Sequence, residues 1–100
     1  MHPRVRVPVR ADLLGSEVAL GIDLDDVSLG GCRVGQPAWE PKGQPLQIVL
    51  DFTGLGVQLT VRGEVVRASA TDLGVRFVEL SDDQKWGLRK HLRDLQARER

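Results

Sequence analysis

Apolar and polar positions alternate along most of the chain. Val5, Val7 and Val9 fall on one side of an N-terminal stretch, and Arg4, Arg6, Pro8 and Arg10 on the other. Period two predicts a strand with an apolar inner face and a basic outer face. Pro8 lacks a donor and suits an edge or a partly unpaired position. After a turn at Leu14-Gly15-Ser16, the residues Val18, Leu20, Ile22 and Leu24 alternate with Glu17, Ala19, Gly21 and Asp23, the pattern of a half-buried strand. A corner, Asp26-Val27-Ser28-Leu29-Gly30-Gly31, leads to a short strand at Cys32 to Val34. Gly35 to Pro45 reads as a long loop that Trp39 anchors.

Leu46, Ile48, Leu50 and Phe52 alternate again, and Gly54-Leu55-Gly56 is a turn signal. Val57, Leu59 and Val61 follow. Gly63 interrupts, and Val65-Val66 resumes with a change of face such as a bulge produces. Ala68 to Asp72 is a turn, and Leu73, Val75 and Phe77 make the last strand. Ser81 with Gln84 has capping-box spacing, and Asp82 and Asp83 suit the positive end of a helix. Leu88, Leu92 and Leu95 share one helical face and should pack on the strands. Trp86 lies roughly opposite that stripe. It is expected to pack in the first turn, with a contact surface as the alternative.

Six short strands and a terminal helix, spanning 81–98, define an all-β fold. The expected architecture is a six-stranded antiparallel β-barrel with a C-terminal α-helix. One hundred residues make one domain, 1–100. Tyrosine is absent, so the core is mostly Val and Leu. Lys+Arg and Asp+Glu are both 14, and a balanced chain is not a general nucleic-acid binder. Any anion site must come from local clustering. No apolar run approaches transmembrane length, and the start is too polar for a signal peptide, so no membrane insertion and a cytoplasmic location are expected. The single cysteine, Cys32, reads as a small buried strand residue.

Catalytic chemistry finds no support in the sequence. His2 and His91 belong to no Ser/His/Asp set, and no paired-carboxylate site or metal spacing is visible. Asp23, Asp25 and Asp26 lack the rest of a calcium loop. The chain is expected not to be an enzyme and to need no cofactor or metal. Anion binding is better supported. Arg4, Arg6 and Arg10 share a strand face, and the arginine fork matches phosphate bidentately. A solvated basic edge strand is the plainer reading of the same cluster. In the corner, Asp26 and Ser28 bond back to main chain, while Gly30 and Gly31 tolerate positive φ and let a backbone or ligand approach.

The combination resembles the PilZ domain, the bacterial receptor module for cyclic di-GMP. That family carries an RxxxR motif near the N-terminus and a D/N-x-S-x-x-G motif after the second strand. Asp26-Val27-Ser28-Leu29-Gly30-Gly31 fits the second motif at each fixed position. Gly63-Glu64-Val65-Val66-Arg67 and Leu73-Gly74-Val75-Arg76-Phe77 look like its closing strands. Arg6 to Arg10 satisfies RxxxR literally. By distance to Asp26, Arg4 is similar to the motif's second arginine, whose partner would precede Met1, and Arg6 or Arg10 would then substitute.

The resemblance implies a cyclic di-GMP site of Arg4, Arg6, Arg10, Asp26, Ser28, Gly31 and Arg67. The arm at 1–10 would fold over the barrel, and its arginines would take the phosphates and guanine edges. Asp26 and Ser28 would meet the guanine edges or hold an arginine, Gly31 would leave room, and Arg67 would stack on a base. With no output domain in the chain, the signal would pass to an unknown effector protein. The alternative is a degenerate PilZ domain that no longer binds nucleotide and serves as a protein–protein interaction module.

Overall fold

The computed structural model describes residues 9–98. Seven strands and one helix follow in order: β1 Val9–Leu14, β2 Val18–Asp23, β3 Asp26–Val27, β4 Gly31–Val34, β5 Pro45–Phe52, β6 Val57–Ala68, β7 Leu73–Val78 and α1 Asp82–Arg98. All pairings are antiparallel, in the order β2-β1-β5-β6-β7-β4-β3. The expected class holds. The strand count is seven rather than six because Asp26-Val27 pairs with Arg33-Cys32 and becomes a short strand of its own.

The curled sheet is not a closed barrel, since β2 and β3 at its two edges do not pair. The segment between them spans the seam instead. Leu24 N donates to Val9 O at 3.0 Å, and Asp25 N donates to Arg33 O at 2.9 Å. Leu24 can therefore turn inward and be buried.

The core is aliphatic, as the composition requires. Val9, Ala11 and Leu13 of β1, Leu46, Ile48, Leu50 and Phe52 of β5, Val61 and Val65 of β6 and Leu73, Val75 and Phe77 of β7 are all buried. Gly63 does not interrupt β6, which runs unbroken through it. A Cβ there would meet the Ile48 and Val75 side chains at 2.7 Å, so the glycine makes room for the core. The bulge expected at Val65-Val66 is present, where the β6–β7 register shifts between Val65 and Arg67.

β2 departs from the expected alternation. Val18 and Leu20 are about two-thirds exposed, whereas Ala19 and Ile22 are the residues packed against the core. The cause is an irregularity in the β1–β2 register. Ala11 pairs with Ile22 but Leu13 pairs with Ala19, which leaves β2 one residue longer. Gly21 takes up the excess at φ +64°, and its N–H donates to Asp12 Oδ1 at 2.8 Å. Side chains beyond the bulge change face.

The loop after β4 is held by Trp39 and also by Glu40, which the hydropathy pattern did not mark. Trp39 packs partly on the core. Glu40 is buried, accepting from the Ser16 hydroxyl and from Glu17 N at 3.2 Å. The loop is tied to β6 by Gly43 N to Val65 O and Val65 N to Gln44 O.

The helix cap forms as its spacing predicts. Ser81 Oγ accepts from Gln84 N at 3.1 Å, and Gln84 Oε1 accepts from Ser81 N at 2.7 Å. Leu88, Leu92 and Leu95 are buried, and His91 lies against Phe52 with ring centroids 5.2 Å apart. Trp86 does not pack in the first turn. It is 65% exposed.

Candidate functional site

A cleft of about 570 Å³ opens on the outer surface of β3, β4, β6 and β7. Asp26, Ser28, Gly31, Arg33, Arg67, Asp72, Gly74 and Arg76 are among its lining residues. The β3–β4 hairpin builds one side. Asp26 pairs with Arg33 and Val27 with Cys32 around a turn at Leu29-Gly30. Ser28 N donates to Gly31 O at 2.8 Å, and Ser28 Oγ accepts from Gly30 N at 3.2 Å. The hydroxyl thus bends the main chain of its own turn.

Neither corner glycine has positive φ. Gly31 is needed for close approach instead, because a Cβ there would fall on the Val75 carbonyl oxygen of β7. Just beyond it, Phe77 N donates to Gly30 O at 2.9 Å and fastens the turn to β7.

Register then sets out a row of four residues across four strands. Asp26 stands opposite Arg33, Arg33 opposite Gly74, and Gly74 opposite Arg67. Paired residues share a sheet face, so two arginines flank a glycine floor. Neighbouring strands lie about 4.8 Å apart, which puts the two arginine backbones roughly 10 Å from each other. The β6 bulge is what brings Arg67 opposite Gly74, the place Val66 would take in a regular ladder.

Carboxylates hold this row. Arg33 Nε lies 3.2 Å from Asp26 Oδ2, its Nη2 3.3 Å from Asp25 Oδ2 and its Nη1 3.9 Å from Asp72 Oδ2. The Asp26 hydrogen bond first, and the charges of Asp26, Asp25 and Asp72 after it, push the guanidinium above its ordinary pKa. Asp72 is buried, and its Oδ1 accepts from Arg67 Nε at 3.0 Å and from Ser69 Oγ at 2.7 Å. The Ser69 bond above all, then Arg67 and Arg33, holds its carboxyl below the usual range. Arg76 reaches Glu64 at 3.3 Å across β6–β7. Beneath the floor, Cys32 is buried, and desolvation followed by the Asp26 charge raises its thiol to about 12.

Of the residues expected in the site, the fold brings Asp26, Ser28, Gly31 and Arg67 together. Arg10 is not among the cleft's lining residues. It stands opposite Asp23 in the β1–β2 pair, and its Nε lies 3.1 Å from Asp23 Oδ1. Arg4 and Arg6 lie outside the described residues. Sequence reasoning missed Arg33, Asp72 and Arg76. A two-residue turn at Leu29-Gly30 pairs Asp26 with Arg33, and that signal was available in the hairpin pattern. Asp72 and Arg76 depend on the β6–β7 register, which the bulge alters.

The PilZ domain family model matches residues 1–96. This chain belongs to the PilZ family. PilZ is a family of cyclic di-GMP receptors, and its domains are binding and adaptor modules. Solved structures carry the same fold. The crystal structure of the PilZ domain of CeSA from a cellulose-synthesizing bacterium superposes with a TM-score of 0.71 at 16% identity, covering 94% of this chain and 98% of that one. The Bacillus subtilis inhibitor of motility MotI/DgrA gives 0.77 at 14% identity, with 99% of this PilZ chain matched to 52% of that protein. An uncharacterized Legionella protein gives 0.65 at 18%, over 99% and 97% of the two chains. No curated protein matches the chain. Among the described residues no helix is long and apolar enough to cross a membrane.

Proposed function

We propose that this PilZ domain is a cytoplasmic cyclic di-GMP receptor that passes the signal to a protein partner. The observation that supports the reading best is the Arg33–Gly74–Arg67 row beside the Asp26–Gly31 motif. A planar guanidinium stacks on a purine and also pairs with phosphate, and a glycine floor leaves a base room to lie between two of them. Arg67 stacks on a guanine. Arg4 and Arg6 of the arm take phosphates and Hoogsteen edges, with Arg10 at the arm's base. Asp26 and Ser28 meet guanine edges or an incoming arginine. The surface that the bound nucleotide and these arginines present at the cleft is the output a partner reads.

Calorimetric titration with cyclic di-GMP tests this. Each charge-assisted hydrogen bond contributes roughly 1.5–3 kcal/mol, so Arg67→Ala and Asp26→Ala should each weaken binding about tenfold or more. No heat at high micromolar ligand overturns the receptor reading. Unchanged affinity in both variants places the site elsewhere.

A second reading, an interaction module without nucleotide, draws on a specific observation. Arg33 already engages Asp25, Asp26 and Asp72, and Asp72 engages Arg67. Ligand groups must therefore exchange for these internal contacts, and each exchange subtracts from the binding free energy.

A further inference from the structure

The outward face of α1 lies apart from the cleft. The helix packs instead on the other end of the sheet. Gln84 Nε2 donates to Thr60 O at 2.9 Å, a Cβ on Gly87 would meet Leu59, and a Cβ on Gly54 would meet Leu95. With Leu88, Leu92 and Leu95 turned inward, 3.6-residue periodicity puts Trp86, Arg93 and Ala97 on the opposite side and Arg89 at its edge. All four are exposed, Trp86 by 65%.

Charge on this face is one-sided. Lys90, on the same side, is joined to Asp94 at 2.9 Å. Among the described residues, no ion pair engages Arg89 or Arg93. The acidic residues Asp82 and Asp83 belong to the first turn, where they offset the positive helix end. Arg89 and Arg93 are four residues apart, so their heads present one positive strip beside the indole. Trp and Arg are the residue types that dominate binding energy at protein interfaces.

We propose that this face, Trp86 with Arg89 and Arg93, docks an acidic segment of a partner protein whose carboxylates recur about one helical turn apart. Charge complementarity selects that occupant. A lone indole among so few cations offers too little apolar area and too little charge for stable anchoring on an anionic membrane. The face names the partner surface of the adaptor role proposed above, and it rests on that part of the reading and not on nucleotide binding.

The test places a benzophenone side chain at position 97 of the full chain in its native host and identifies the photoadducts by mass spectrometry. The expected result is one protein adduct, linked through a segment of net negative charge. Arg89→Glu with Arg93→Glu should cut its yield at least tenfold, and Trp86→Ala similarly. Reversing two carboxylates of the linked segment to Lys should restore the adduct with the Arg89→Glu/Arg93→Glu chain. Lipid or nucleic-acid adducts, no adduct, or a yield indifferent to charge reversal would each overturn the proposal. Circular dichroism checks that the variants fold, and cyclic di-GMP titration of the same variants should match the parent. A chain that makes the adduct but gives no heat with nucleotide sinks the receptor reading alone, and a chain that gives heat but no adduct sinks the docking face alone.

Discussion

Arg33 and Arg67 stand on either side of Gly74, and the Asp72 carboxylate gives one oxygen to each, at 3.9 Å and 3.0 Å. These two cations of the cleft are thus positioned by one buried acid. Like charges facing each other across one intervening strand repel, and Asp72 offsets that repulsion. The cleft is held in shape before any ligand arrives.

Removing Arg33 should show how much the hairpin depends on it. Arg33→Ala leaves Asp26 and Asp72 with fewer partners, and their side chains are only 15% and 9% exposed. Exposed pairs contribute little, and Arg62 with Glu79 is such a pair, with side chains 75% and 73% exposed. Chemical denaturation should therefore show a clearly larger midpoint loss for Arg33→Ala than for Arg62→Ala. Equal losses would show that the network contributes no more than surface charge.

The Asp72 carboxyl makes stability depend on pH in a known direction. Its folded pKa is lowered, so its contribution is fully present above the unfolded value, about 3.9. It is lost as pH falls through the lower folded value. The stability difference between the parent and Asp72→Asn should be largest near neutrality and shrink below about pH 4. Thermal melts from pH 3 to 7 measure it, and a gap that widens on acidification would reverse the assignment.

The two glycines of the motif should respond differently to alanine. A Cβ on Gly31 collides with the Val75 carbonyl, a main-chain atom that moves only with β7. Overpacking of this kind costs about 1–3 kcal/mol or more. On Gly30 the nearest atom is Ser28 Oγ at 3.9 Å, an ordinary contact. Gly31→Ala should lower the melting temperature by several degrees, while Gly30→Ala stays close to the parent.

The β2 bulge gives a further contrast. Leu20 is 66% exposed, so Leu20→Lys should change stability by no more than about 0.5 kcal/mol. Ile22 packs against the core, and Ile22→Lys should cost at least about 1–2 kcal/mol. Urea titrations of the pair decide between the observed register and plain alternation, which would make both changes costly.

Local chemistry made much of this protein legible in advance. Alternation located β5, β6 and β7. The Ser81/Gln84 spacing located the helix start, and the Leu88, Leu92 and Leu95 stripe its buried face. These features depend on near neighbours, whose geometry the backbone period dictates. Asp26 to Gly31 was recognisable as a corner for the same reason, although Gly31 is required by the carbonyl of a strand more than forty residues away.

Only the tertiary structure decided which side chains share a face across strands. One extra residue near Gly21 turned Val18 and Leu20 outward, and one at Val66 set Arg67 opposite Gly74. A strand has a side-chain period of two, so a single bulge puts the side chains on its two sides out of phase with each other. Arg33 comes from a stretch of chain far from Arg67, Asp72 and Gly74 and meets them only through pairing register. The seam at Leu24 and Asp25 likewise exists because curling of the whole sheet brings Val9 and Arg33 to either side of it.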